Sequence, residues 1–330
     1  SPSALVSGGA VAYAFLTVGV FALAWSCYGP KVAAWGLVPL AFASTGVIWL
    51  TGRITGGHML AAAWSAGAWW LLVRFLDRGG RARAALLGLW CGLGLWHDSL
   101  FLMTLLGLAL AGGVAAFARR GEVATRSSAL GLLAILVAFA VGASPRWIGR
   151  WAEPHDAYNE QFAWSLAPGL VREHTRILAL DCLPRLIAGR RVPGLEADPD
   201  PAKLGGGAPV SRAGSGESID GSAVATTALG ALLSLAAIVS LVRAAVRAET
   251  VQGRAVAIGL LASSAAMLAA IVVNRNIFNS DNPRYLVLLL IPWSLGFGLT
   301  LRSLAGRSTG GLAAAGLIAL AFGAAFTLDA

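Results

Sequence analysis

Ten apolar stretches, each close to the length that crosses a bilayer, follow one another along this chain, with short polar gaps between most of them. A helix needs about 20 apolar residues to span the hydrocarbon core. Inside lipid a backbone cannot leave its N–H and C=O groups unpaired, so such stretches fold as helices. They run roughly over 5–27, 32–52, 59–76, 80–96, 99–117, 128–144, 225–242, 255–273, 285–301 and 310–328. Charged residues are 12% of the chain and mean hydropathy is +0.72, whereas soluble domains carry about 25% charge. The predicted fold class is all-α integral membrane, with about ten transmembrane helices and one extracytoplasmic insert of about 80 residues.

The arginines orient this series. Of the 25 Lys and Arg residues, thirteen fall in gaps on one side of the alternating helices: Lys31, Arg74, Arg78, Arg81, Arg83, Arg119, Arg120, Arg126, Arg243, Arg247, Arg254, Arg302 and Arg307. Three, Arg53, Arg275 and Arg284, fall in the short gaps opposite, and nine in one long polar segment. Short loops rich in Lys and Arg stay in the cytoplasm, so the first side is cytoplasmic. The net charge of +9 therefore reports topology and anionic headgroups; no nucleic-acid partner is expected. The segment 80–117 is the weak joint, since reading it as one helix reverses everything downstream and nearly erases the bias. A polar Trp96-His97-Asp98-Ser99 turn divides it into two helices.

Three units follow: a transmembrane module at 1–144 with about six helices, the insert at 145–224, and a second module at 225–330 with about four. Within the insert, 168–188 spaces Leu170, Val171, His174, Ile177, Leu178 and Leu186 at helical intervals, which predicts an amphipathic helix on the membrane surface. Residues 193–222 are rich in Pro, Gly, Ser and Asp and read as a tether. Cys27, Cys91 and Cys182 are scattered and imply neither a disulfide framework nor a metal cluster. The chain opens Ser-Pro-Ser, and with residue 1 placed outside, at least one upstream span is expected.

All four histidines map to the extracytoplasmic side. Four constellations there carry candidate chemistry. Arg53-Ile-Thr-Gly-Gly-His58 opens the third span, where two glycines let a ligand approach and His58 starts a helix. His97-Asp98 lies between two apolar halves, where ionisable residues are costly and usually partnered. Adjacent residues on a helix point about 100° apart, so these two need not touch each other. The gap from Asn274 through Arg275 and Asp281 to Arg284-Tyr285 enters the ninth span; a guanidinium at headgroup level holds a phosphate through two hydrogen bonds. Glu153-Pro-His155-Asp156-Ala-Tyr158 opens the insert and offers metal or sugar ligands. Each also has a plainer reading, as a capped hairpin, an interfacial Arg-Tyr anchor or a solvated loop.

Three stretches together resemble the polytopic glycosyltransferases of the GT-C fold, which use lipid-linked sugars and include protein O-mannosyltransferases and aminoarabinose transferases. They are Gly52-Arg53-Ile-Thr-Gly-Gly-His58-Met running to Arg74 and Arg78-Gly-Gly, then Gly88-Leu-Trp-Cys-Gly92-Leu-Gly94-Leu-Trp-His97-Asp98, and Asn282-Pro283-Arg284-Tyr285 leading to Pro292. The family typically has an acidic residue where His58 stands. Its hallmark Asp on the first outer loop has no counterpart here, so it is expected upstream, and the chain by itself is expected to be inactive.

The resemblance implies a transferase of the plasma (inner) membrane, multi-pass, with its active side extracytoplasmic. It would move a hexosyl or pentosyl group from a polyprenyl-phosphate carrier to a lipid, glycan or protein acceptor. On this reading Arg284, with Arg53 or Arg275, holds the carrier phosphate, and Asp98 or an upstream carboxylate deprotonates the acceptor. His58 and His97 position the acceptor or a divalent metal ion, the one candidate cofactor. Tyr285, His155, Asp156, Tyr158 and Asp281 line the cavity, with 168–188 as its lid. The alternatives are a transporter, which calls for ionisable groups at mid-bilayer, and a non-catalytic membrane scaffold.

Overall fold

A computed structural model describes residues 2–43, 47, 58–119, 126–152, 164–188, 221–274, 283–306 and 308–327. Those residues are helical nearly throughout, and seven helices are long and apolar enough to cross a membrane. In chain order they include α1 (Pro2–Tyr28), the short α2 (Pro30–Gly36) and α3 (Val38–Ala41), α4 (His58–Arg78), α5 (Arg81–His97), α6 (Phe101–Ala118) and α7 (Arg126–Ala152). After the insert come α10 (Gly221–Arg247), α11 (Val251–Val273), a 3-10 segment Pro283–Leu289 continuing as α12 (Leu290–Ala305), and α13 (Thr309–Thr327). The chain is an all-α integral membrane protein.

The division of 80–117 is settled by geometry. α5 ends at His97, Asp98 adopts an extended conformation (φ −149°, ψ 131°), and α6 starts at Phe101. With 17 residues, α5 is about 25 Å long, a little short of the hydrocarbon core. Upstream, α4 turns into α5 through Gly79 and Gly80, both at positive φ (58° and 93°), a backbone that L side chains rarely adopt. The predicted span 32–52 starts as α2 and α3, which break at Leu37, and most of its second half lies outside the described residues. The sixth span is longer than expected: α7 carries on through Pro145 to Ala152.

Packing between these helices relies on absent side chains, as expected where apolar lipid provides no hydrophobic drive. α5 lies closest to α7, where a Cβ on Gly88 would strike the backbone of Ile135 and one on Gly92 the backbone of Phe139. Gly107 of α6 and Gly259 of α11 oppose one another in the same manner, 2.6 Å separating a Cβ on Gly107 from the Gly259 oxygen. Ser65 and Thr104, both fully buried, add a hydrogen bond of 2.8 Å between α4 and α6.

Two helices are central. Of the spanning windows, His58–Arg78 is 61% buried and Tyr285–Ala305 is 67% buried, against 17% for Ala129–Gly149. The peripheral helices show Leu, Val and Ile outward, for example Leu133, Val137 and Val141 of α7. The described part of the insert is α8 (Pro168–Ile177), a π turn (Leu178–Cys182) and α9 (Leu183–Ala188). Its apolar stripe was expected on lipid, but Ile177, Leu178, Cys182 and Leu186 are buried against the protein. His174 is buried with them, its Nδ1–H donating to Val272 O at 3.1 Å. Protein, then, takes up the face that its helical spacing advertised.

Candidate functional site

The described ends of the helices sort into two groups. At one end Tyr28 Oη–H donates to Gly253 O, Arg302 to Tyr28 O, and Arg119 to Leu76 O, so the basic gaps gather there. At the other end lie His58, His97, Asp98, His174 and Tyr285.

His58 begins α4, the first of the two central helices. Asp98 closes α5, and its carboxylate reaches back so that His58 Nδ1–H donates to Asp98 Oδ2 at 2.7 Å. The side chains keep only 17% and 9% of their exposure. The second carboxylate oxygen, Oδ1, accepts from Leu100 N at 2.9 Å, which ties the Asp98 side chain to the start of α6. Tyr285, at the head of the other central span, sets its ring 5.0 Å from the His58 ring with planes 56° apart. Residues from three separate stretches of sequence thus meet at the mouth of the two most buried helices.

An ionised carboxylate only accepts, so the contact assigns the proton of the neutral imidazole to Nδ1 and leaves the lone pair on Nε2. That is the arrangement of a base whose tautomer is held by an acidic neighbour. His97 ends α5 and is exposed. Arg284 lies in the 3-10 segment immediately before Tyr285. Arg53, His155, Asp156, Tyr158, Arg275 and Asp281 lie outside the described residues.

One residue near the cluster escaped the sequence reading. Arg146 of α7, half-buried, donates from Nη1 to Leu95 O at 3.0 Å, three residues before Asp98. An arginine directly after Pro145 in an apolar run was the available signal, but it was counted with the insert. As for metal, the described residues bring no three His, Cys, Asp or Glu side chains together.

No protein-family model and no curated protein sequence matches the chain. Among solved structures it is similar to the archaeal oligosaccharyltransferase AglB from Archaeoglobus fulgidus, in complex with an inhibitory peptide and a dolichol-phosphate. The TM-score is 0.54 at 15% identity, over 97% of this chain and 43% of that one. The chain has the GT-C fold. A second similar structure is an Archaeoglobus fulgidus oligosaccharyltransferase in complex with Zn and sulfate, with a TM-score of 0.49 at 16% identity, over 96% of this chain and 39% of the other. The chain thus spans less than half the length of either. Within this GT-C fold, the His58–Asp98–Tyr285 cluster lies at the end opposite the basic gaps.

Proposed function

We propose that the chain forms the membrane part of a glycosyltransferase that moves a sugar from a polyprenyl-phosphate carrier to an acceptor on the extracytoplasmic side. The observation that carries this reading is the 2.7 Å His58–Asp98 contact beside Tyr285, in a GT-C fold, at the end where Arg284 enters the membrane. The protein of similar fold was solved with a dolichol-phosphate, a lipid of the carrier class proposed here.

The contact favours a changed division of roles. Sequence alone gave the proton transfer to a carboxylate; the geometry supports His58 Nε2 as the base, with Asp98 orienting the ring and balancing its charge. The acceptor hydroxyl gives its proton to Nε2 as its oxygen bonds to the anomeric carbon. The bond from that carbon to the carrier phosphate oxygen breaks, and the electron pair leaves with the phosphate. Arg284, with Arg53 or Arg275, stabilises that leaving charge. The segment 168–188, tied by His174 to the end of α11, covers the chamber as a lid.

The transporter reading fares worse. Among the described residues the buried polar side chains of the spanning helices are Ser65, Thr104, Ser263 and Ser294, all hydroxyls, and the fifth, His174, lies on α8 outside the spans. A transfer assay of the full-length enzyme in membranes tests the proposal, with labelled sugar on a polyprenyl-phosphate donor. Arg284→Ala is expected to abolish turnover and Arg284→Lys to retain part of it; wild-type rates in Arg284→Ala would remove the phosphate role.

A further inference from the structure

At the basic end of the bundle, remote from the His58 cluster, α10, α12 and the end of α1 line an open cavity of about 420 Å³. Among the described residues its lining carries Arg243, Arg247 and Arg302 against one carboxylate, Glu249. Arg243 and Arg247 are four residues apart on α10 and so share a face, while Arg302 comes from the last turn of α12. The two helices are held close by Ser240 Oγ and Thr300 Oγ1 at 2.8 Å, so the guanidiniums cannot drift apart with their helices. None of the three forms an ion pair among the described residues.

Like charges gathered on one cavity repel and call for a counter-anion. Leu299 and Ala244 add apolar surface to the lining, and Val242 and Val246 on the same helix as Arg243 are exposed. The cavity lining is therefore amphipathic, with guanidiniums beside apolar side chains. Its volume lies within the range of about 300–1,000 Å³ typical of ligand sites, far more than one free phosphate needs. We propose that it binds the phosphate-bearing headgroup of an anionic membrane lipid, which enters sideways from the leaflet and bridges α10 to α12. This site is independent of the proposed transfer reaction.

The test uses the full chain purified in detergent. Its melting temperature is followed on adding phosphatidylglycerol micelles, phosphatidylcholine micelles or inorganic phosphate. The expected result is a rise of several degrees with phosphatidylglycerol alone. In Arg243→Gln/Arg247→Gln, whose two arginines are exposed and make no hydrogen bond within the described protein, binding should weaken on the order of 25-fold, about fivefold per arginine. Arg78→Gln/Arg81→Gln, equally basic but outside the cavity, should bind as wild type. An equal rise with phosphatidylcholine or with inorganic phosphate overturns the proposal, as does unchanged binding in the cavity variant or equal loss in the control.

Discussion

His58 and Asp98 are forty residues apart in sequence, yet Nδ1 of one lies 2.7 Å from Oδ2 of the other. The contact closes the α4–α5 hairpin at the end away from its Gly79-Gly80 turn. It also gives the histidine a fixed tautomer and the buried carboxylate a partner, each answering the cost of the other.

Asp98 works on two helices at once, so its substitutions should separate structure from chemistry. Asp98→Ala frees both the Leu100 N–H and the His58 ring, and should cost about 1–3 kcal/mol in thermal denaturation. Asp98→Asn keeps an oxygen for Leu100 and should stay within about 1 kcal/mol of wild type. Equal losses for the two variants would show that charge, not the cap, holds this corner.

Where α5 meets α7, glycine is required by the closeness of the backbones. Gly92→Leu should destabilise the protein by about 1–3 kcal/mol or prevent its assembly, because Phe139 and Ala143 occupy the space its side chain needs. Gly113, with nothing within 4 Å of its Cβ position, should accept leucine within about 0.5 kcal/mol. Detergent melting curves of the two variants make the comparison.

Orientation is open to chemical labelling. The three native cysteines are buried and contribute little background to a membrane-impermeant maleimide. Arg172→Cys, exposed on α8, should label from outside intact cells, and Arg78→Cys only after the membrane is opened. Arg172→Cys reacting only in opened cells would invert the assignment drawn from the arginines.

Much of the architecture was readable because hydropathy and backbone satisfaction in lipid act locally. The turn at His97-Asp98, the helix starting at His58 and the apolar stripe of α8 follow from the residues themselves. What that stripe covers did not, since a helical periodicity marks a buried face without naming its partner; His174 found Val272, where lipid was expected. The candidate site divides likewise. His58, Asp98 and Tyr285 each stood out as costly or polar groups at a span's end, but their meeting depends on how α4, α5 and α12 pack. Sequence therefore left His97 and His58 equivalent, and tertiary structure adds that His58 reaches Asp98. Arg146 was missed because the sixth apolar stretch ends at 144 and places Arg146 in the insert, whereas α7 continues through Pro145 to Ala152.

The most direct test is the initial rate of sugar transfer from a polyprenyl-phosphate donor by the full-length enzyme carrying Asp98→Asn, measured beside donor binding. An asparagine amide presents a donor to Nδ1 and drives the proton to Nε2, which removes the lone pair the reaction needs while leaving the fold in place. The account predicts a rate lower by about 10²–10⁴ with donor binding retained. A rate equal to wild type would contradict it.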